Sequence, residues 1–531
     1  MSNEQWAGEC RPGGERGARR PVVQQSGECR PGGERGARRP VVQQNAECHV
    51  VQPRIYIETF GCQMNEADSR EIAARAEAAG YLPTADPGEA DVVIVNTCTV
   101  RERAERRAYG RIGSLRALGT RSHRVRLVVC GCLAEQDREQ IPLRAPHVDA
   151  VFGTSELAGL GERLVAWRAE LDGADAAGDA RDDAALAAHE DRALRSQLGL
   201  GPHGAGDPFE HLRAFVTVQR GCSYYCTFCI VPYVRGRFDH RPRGEIVAEV
   251  QTALARGARE VTLVGQTVNA YRDPAGHGDF ADLLFELAEL DGLERLAFVT
   301  SHPKDAGPRL AEALGSLPVL QPRFHLAVQS GSNAVLRRMN RKYTVEHYEE
   351  IVALVRRHAP GIALTTDLIV GFPGERDEDF AATLALCERV RFAQAFTFIY
   401  SPRRGTPAAH WEQVPGEIAS ARLRTVAAKI TEGASAWNAP KIGRTIRALV
   451  SGPSRYDPSR VAARAPDGTT LIAPRGDLCD ADLLARPWLD IRVTHPSLWG
   501  GRGEIVGLAE RERAAARAVR IAETIDLVAA R

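Results

Sequence analysis

Between residue 213 and about residue 436, short apolar runs alternate with helical stretches, with strand candidates at 213–219, 260–265, 294–300, 323–328, 363–370 and 394–400. Strands regularly interleaved with helices pair in parallel, and six βα units in series predict a partial (β/α)6 barrel. In such folds the side chains that do chemistry sit at the carboxyl ends of the strands. Directly after the first strand comes RGCSYYCTFCIVPYVRGR, in which Cys222, Cys226 and Cys229 have the spacing C-x3-C-x2-C. Three thiolates on one short loop can hold three irons of a four-iron cluster and leave the fourth open to a small molecule. The plainer readings are three structural thiols or a zinc site, but zinc normally takes four ligands from paired C-x2-C motifs.

A second alternating series precedes the first. RIYIETF (54–60), DVVIVN (91–96), VRLVVC (125–130) and DAVFG (149–153) read as strands, with helices over 65–80 and 101–118. This predicts a doubly wound parallel α/β domain. Cys62 follows the first strand, Cys98 the second and Cys132 the third. Ligands of parallel α/β sheets bind at the carboxyl ends of strands, so the three cysteines converge on one edge, where helix N-termini favour anions. Cys130 competes with Cys132, but it ends the strand itself while Cys132 lies on the loop. The alternative is three unrelated thiols.

The remaining chain is less informative. GECRPGGERGARRPVVQQ occurs at 8–25 and again at 27–44, and this polar Gly/Pro/Arg repeat carries Cys10 and Cys29 (Cys48 lies in a decayed third copy) with no periodicity that could bury a core. Residues 1–53 are therefore expected to be a disordered extension. The expected domains are 54–165, a linker over 166–208, the barrel over 209–438, and a small β-barrel over 439–508 built from TIRALV, TTLIAP and LDIRVTH. A terminal helix is expected over about 508–524, and residues 509–531 are expected as a C-terminal helix beyond the barrel. Cys387 and Cys479 read as ordinary buried thiols. Residues 437–507 carry 10 Lys/Arg against 7 Asp/Glu, and the whole chain has a net charge of only +1, so bulk charge does not mark a strong nucleic-acid binder. With no long apolar run and no signal peptide, the cytoplasm is the expected compartment. There, clustered cysteines are more often metal or redox ligands than disulfides.

Several segments resemble the methylthiotransferases of the radical S-adenosylmethionine (SAM) superfamily: ETFGCQMNEADS, VVNTCTVRERAE, CGCLAEQDR, CTFCIVPYVRGR, VTLVGQTVNAY, TSHP, VQSGSNAVLRRM and TTDLIVGFPGE. The resemblance spans about 54–450. It implies two 4Fe-4S clusters, one on Cys62, Cys98 and Cys132 and one that cleaves SAM on Cys222, Cys226 and Cys229. It also implies a SAM pocket lined by Gln266, Ser330, Asp367, Gly371 and Glu375. Gln63-Met64-Asn65 after the first cysteine resembles the branch that acts on N(6)-isopentenyladenosine beside the anticodon of tRNA; the ribosomal-protein branch has P-K-N there. Alternatives are a threonylcarbamoyladenosine tRNA or ribosomal-protein Asp acceptor, or a non-catalytic iron–sulfur RNA-binding protein. The expected partners are tRNA and an electron donor such as flavodoxin or ferredoxin, with the chain a monomer. Two departures stand out. Ala327 occupies a position where the family has Pro in H-L-P-V-Q. The C-terminal module resembles a TRAM domain without its G-R-T, the corresponding stretch being VAARAPDG.

Overall fold

Five parallel strands form the first sheet of the computed structural model, which describes residues 52–99, 102–120, 125–175, 208–497 and 499–511. In chain order this domain comprises β1 (Arg54–Thr59), α1 (Gln63–Ala78), β2 (Leu82–Pro83), β3 (Val92–Thr97), α2 (Glu102–Ser114), β4 (Arg126–Gly131), α3 (Cys132–Gln136), α4 (Gln140–Arg144), β5 (Ala150–Phe152) and α5 (Leu157–Asp175). The strand order is β2-β1-β3-β4-β5. Strand β3, VVIVNT, is buried at every position because helices cover both faces of the sheet. Val93, Val95 and Leu127 pack with Ile112 of α2 on one face; Ile94 and Val128 pack with Ile72 of α1 and Leu164 of α5 on the other. Helix α5 runs past the boundary expected at 165, since Trp167 is buried in this second layer. The expected disordered extension falls outside the described residues apart from Gln52 and Pro53, as does most of the linker.

The second domain contains β6 (Arg213–Thr217), β7 (Gln219–Arg220), α6 (Val231–Val234), β8 (Asp239–His240), α7 (Arg243–Ala255), β9 (Glu260–Val264), α8 (Phe280–Ala288), β10 (Arg295–Phe298), α9 (Pro308–Ser316), β11 (Arg323–His325), α10 (Asn333–Arg338), α11 (Val345–His358), β12 (Ala363–Val370), α12 (Asp377–Val390), β13 (Gln394–Ile399) and α13 (Gly416–Asn438). Two parallel three-stranded sheets, β10-β9-β6 and β11-β12-β13, meet through isolated parallel bridges between Leu296 and Leu320 and between Ser301 and Leu326. The result is the six-stranded arc expected from the sequence. One apolar core runs beneath both halves, from Val216 and Leu263 to Leu364 and Val426.

The C-terminal module is a closed barrel of β14 (Thr445–Ser454), β15 (Asp457–Arg464), β16 (Thr470–Pro474), β17 (Trp488–Ser497) and β18 (Gly500–Ala509), with α14 (Asp480–Ala485) between β16 and β17. The helix expected over 508–524 does not begin there: Leu508 and Ala509 finish β18, paired with Leu489 and Trp488, and 512–531 lie outside the described residues. Cys479 is exposed rather than buried, because it precedes α14 at the rim with its backbone N donating to Asp482 Oδ2 at 2.9 Å. A cavity of about 1350 Å³ lies between this module and the amino ends of the strands of the second domain, beside the contact that Arg295 makes to Arg464 O. Its cations are largely paired, Lys429 with Glu388 and Glu432, and Lys441 with Asp467. Among the described residues no helix is long and apolar enough to cross a membrane.

Candidate functional site

The loop bearing Cys222, Cys226 and Cys229 leaves β7 and returns as β8, and the two strands pair antiparallel (Gln219 with His240, Arg220 with Asp239), closing its base. The backbone N of Cys222 donates to Gly236 O at 3.0 Å and that of Cys229 to Cys226 O at 2.9 Å. Tyr225 adopts a left-handed conformation with φ 49°, uncommon for an aromatic residue, held by Asn340 Nδ2 donating to its carbonyl at 2.9 Å. This presents its ring to solvent beside Tyr233, with 5.9 Å between ring centres; the two residues are 38% and 49% exposed. Arg341 donates to Cys226 Sγ at 3.3 Å and to Ala327 O at 2.9 Å. Ala327 thus contributes its carbonyl, which a proline would also provide. Burial pushes the Cys229 thiol up to about 12, with the neighbouring Cys226 adding to the effect. Burial also raises Cys222, against a hydrogen bond with Thr267.

Cys62, Cys98 and Cys132 stand just beyond the ends of β1, β3 and β4, which are adjacent in the sheet. Glycines make this gathering possible. Gly61 has φ 138°, and a Cβ there would lie 2.7 Å from Cys98 Cβ; Gly131 has φ 95°, and a Cβ there would lie 2.4 Å from Thr97 O. Each glycine turns the chain sharply so that the cysteine after it faces the strand end. Cys62 stands at the amino end of the 16-residue helix α1, directly before its first turn. Cys130 points the other way, into the apolar layer with Ile57, Ile94 and Trp167. Burial pushes the Cys132 thiol up, while Arg235 pulls it down through charge and a hydrogen bond.

The two cysteine groups lie next to each other in adjoining domains; Cys132, expected on a loop, instead opens helix α3 directly after Gly131. Cys132 packs against Ile230 and Val234, one and five residues after Cys229 in the chain. Arg235 Nε donates to Cys132 Sγ at 3.1 Å, and its Nη2 to Asp68 Oδ2 on α1 at 2.7 Å. Met64 packs against Phe215, Val264 and Val299 of the barrel. Asn65 is fully buried and donates to Asn96 Oδ1 and Thr97 O at 3.1 and 2.9 Å. Of Gln63-Met64-Asn65, only Gln63 is exposed.

The donor chemistry fits clusters. Among the described residues no three His, Cys, Asp or Glu side chains are gathered tightly enough for a single metal ion. A four-iron cluster makes a different demand, since each thiolate binds its own iron. The residues expected around SAM divide in two. Gln266 follows β9 beside Thr267, whose Oγ1 lies 3.5 Å from Cys222 Sγ, and the Oε1 of Gln266 is buried without a hydrogen-bond partner. Asp367 lies on β12, 3.4 Å from His325 Nε2. The other three are engaged locally. Ser330 Oγ accepts from Ser332 N at 3.2 Å and contacts Thr383. Glu375 accepts from Gly371 N at 2.6 Å and from Arg422 at 2.8 Å, which braces the turn after β12.

Two family models match this chain: the radical SAM superfamily over residues 216–387 and an uncharacterized protein family, UPF0004, over 54–153. The tRNA-2-methylthio-N(6)-dimethylallyladenosine synthase of Moorella thermoacetica is 40% identical over 457 residues, 85% of this chain and 98% of its own length. Synthases of the same name from Ralstonia nicotianae and Acidothermus cellulolyticus are 39% and 42% identical, covering 97% and 82% of their lengths. The chain belongs to the tRNA-2-methylthio-N(6)-dimethylallyladenosine synthase family. Reasoning from spacing missed three charged residues that the structure places at the cysteine groups: Arg235, Asp68 and Arg341. Signals were present for two of them, since Arg235 lies in VPYVRGR and Asp68 in NEADS. What spacing cannot show is that a charged side chain from one domain reaches a thiol of another.

Proposed function

We propose that this enzyme carries two 4Fe-4S clusters, binds SAM and methylthiolates carbon 2 of N(6)-isopentenyladenosine beside the anticodon of tRNA. The observation that carries the reading is the pair of cysteine groups next to each other in two adjoining α/β domains, in a chain about 40% identical to named synthases across 85% of its length. Cys222, Cys226 and Cys229 hold the cluster that binds SAM at its open iron; Cys62, Cys98 and Cys132 hold the auxiliary cluster. The bound groups supply radical cleavage of SAM and a sulfur source, chemistry that an unactivated aromatic C–H bond requires.

The chain's own residues do the positioning. Gln266 Oε1 offers an acceptor for the SAM amino group, and Arg341 holds positive charge at Cys226. Tyr225, on the cysteine loop, and Tyr233 expose two rings set edge to face, each suited to stacking a base splayed from a single-stranded loop. Tyr456, 91% exposed at the tip between β14 and β15, suits a second RNA contact. With a net charge of only +1, the chain should bind tRNA with a shallow dependence on salt. The enzyme works in the cytoplasm as a monomer, with flavodoxin or ferredoxin as reductant.

The test offers reconstituted enzyme three acceptors: isopentenylated tRNA, the same tRNA unmodified and the small-subunit ribosomal protein. Mass spectrometry should find a methylthio group on the first alone. Methylthiolation of the ribosomal protein, with none on tRNA, overturns the acceptor. In the same assay Cys222→Ala abolishes 5′-deoxyadenosine formation, while Cys62→Ala spares it and stops thiolation.

A further inference from the structure

Arg235 lies six residues beyond Cys229, yet its guanidinium is directed at the other cysteine group. Its side chain is only 5% exposed. Nε donates to Cys132 Sγ at 3.1 Å and Nη2 to Asp68 Oδ2 at 2.7 Å, while the carbonyl of the next residue, Gly236, accepts from Cys222 N at 3.0 Å. A single Arg-Gly step therefore touches both groups. Asp68, itself fully buried, also takes Arg220 Nη1 at 2.7 Å, and Arg220 Nη2 reaches Glu71 at 2.6 Å. Arg220 by itself clamps α1 to the barrel domain. The clamp therefore needs neither a second buried guanidinium, which is costly to desolvate, nor a bond from its Nε to sulfur.

We propose that Arg235 is a positioning residue that sets the reduction potential of the auxiliary cluster, with Asp68 as its counterweight. The inference rests on the reading that Cys62, Cys98 and Cys132 hold that cluster. One-electron reduction adds one negative charge to a cluster. A guanidinium hydrogen-bonded to a ligand sulfur stabilises that added charge and raises the potential; hydrogen bonds to the sulfurs and net charge are the protein's main levers on it. Asp68 works against Arg235, since its carboxylate offsets part of the positive field. The two residues therefore act with opposite sign, which a purely mechanical clamp does not.

The experiment uses the full chain with Cys222, Cys226 and Cys229 changed to Ala, so that only the auxiliary cluster is assembled. After anaerobic reconstitution, iron content is counted and the cluster is titrated with dithionite while its paramagnetic resonance signal is followed. Arg235→Gln should lower the midpoint. Near the parent midpoint the reduced-to-oxidised ratio should change roughly tenfold, about 59 mV for a one-electron couple. Asp68→Asn should raise the midpoint, and Arg235→Lys, which keeps the charge, should stay near the parent. Shifts of the same sign in Arg235→Gln and Asp68→Asn, or an unmoved midpoint in both with iron intact, overturn the proposal. If Arg235→Gln fails to retain iron, the opposed shift of Asp68→Asn against the unshifted Arg235→Lys still decides it. Absence of a cluster in the triple-Ala parent would instead overturn the ligand reading on which the inference rests.

Discussion

His302 shows how one buried side chain fixes a pH response. It packs against Tyr224 of the cysteine loop, with 4.4 Å between ring centres, and its Nδ1 accepts from Lys304 N at 3.2 Å. Burial, with Arg341 and Lys304 adding positive charge, depresses its pKa to about 2. Tyr224 and Asp305, which hydrogen-bond to each other, face it as well. In the unfolded chain the imidazole titrates near 6.5 and takes up a proton that the folded state refuses, so stability falls as the pH drops below that value. This group alone removes about 2 kcal/mol between pH 8 and pH 5. Urea unfolding of His302→Asn protein across that range should show a correspondingly flatter loss than the parent; parallel curves would exclude this histidine as the cause. The motif TSHP made His302 visible in the sequence, but its neutral state rests first on burial, with the charge of Arg341, 39 positions away, adding to it.

Helix α1 carries several functions at steps of three. Cys62 begins it, Asn65 ties it to the end of β3, Asp68 receives two arginines of the barrel domain, and Glu71 receives one of them again. Its neighbouring face, through Met64 and Ala67, packs against Phe215 and Val264. The segment Gln63-Met64-Asn65 is thus two-thirds structural, and direct reading of an acceptor there falls to Gln63. Met64→Ala should cost about 2–5 kcal/mol by leaving a cavity, with no change of acceptor. Gln63→Ala should alter stability by less than about 0.5 kcal/mol while lowering turnover on isopentenylated tRNA. Equal turnover of Gln63→Ala and parent would remove this segment from acceptor choice. The sequence showed that the segment was distinctive; the fold shows that distinctiveness there belongs mostly to packing.

At the scale of the whole molecule, a buried ion pair joins the barrel domain to the C-terminal module. Arg295 and Glu260 lie side by side on β10 and β9, 3.3 Å apart and both almost fully buried. Arg295 also donates to Arg464 O at 3.0 Å and covers the ring of Trp488 at 4.7 Å, while Glu260 accepts from Gln321 at 3.0 Å. Removing one member strands the other charge away from water, so Glu260→Gln should destabilise the junction by about 3–5 kcal/mol. Replacing both by apolar residues should recover much of that, as read by urea unfolding; no difference between the single and double variants would refute a buried pair. At the other end, a chain beginning at Arg54 should bind about eight irons after reconstitution, four per cluster, and turn over like the full chain. Loss of iron on that truncation would implicate Cys10, Cys29 or Cys48.

The sequence by itself determined the elements and where the cysteines stand relative to them. Strand and helix periodicities are local, and a cysteine just after a strand in a parallel α/β sheet lands at its carboxyl end whatever else the chain does. That is why all six strands of the arc, and both cysteine groups, were legible before any coordinates. Strand β15 and strand β18 were not, since DPSRVAAR and GGRGEIVGLA carry little apolar alternation and gain their order from closing the barrel against neighbours. Tertiary structure alone decided that α5 belongs to the first domain and that Arg235 reaches from one cysteine group to the other. Each of these depends on which surfaces meet across distances of tens to more than a hundred residues. Charge and burial act through space, and a linear pattern does not record what lies across a domain boundary.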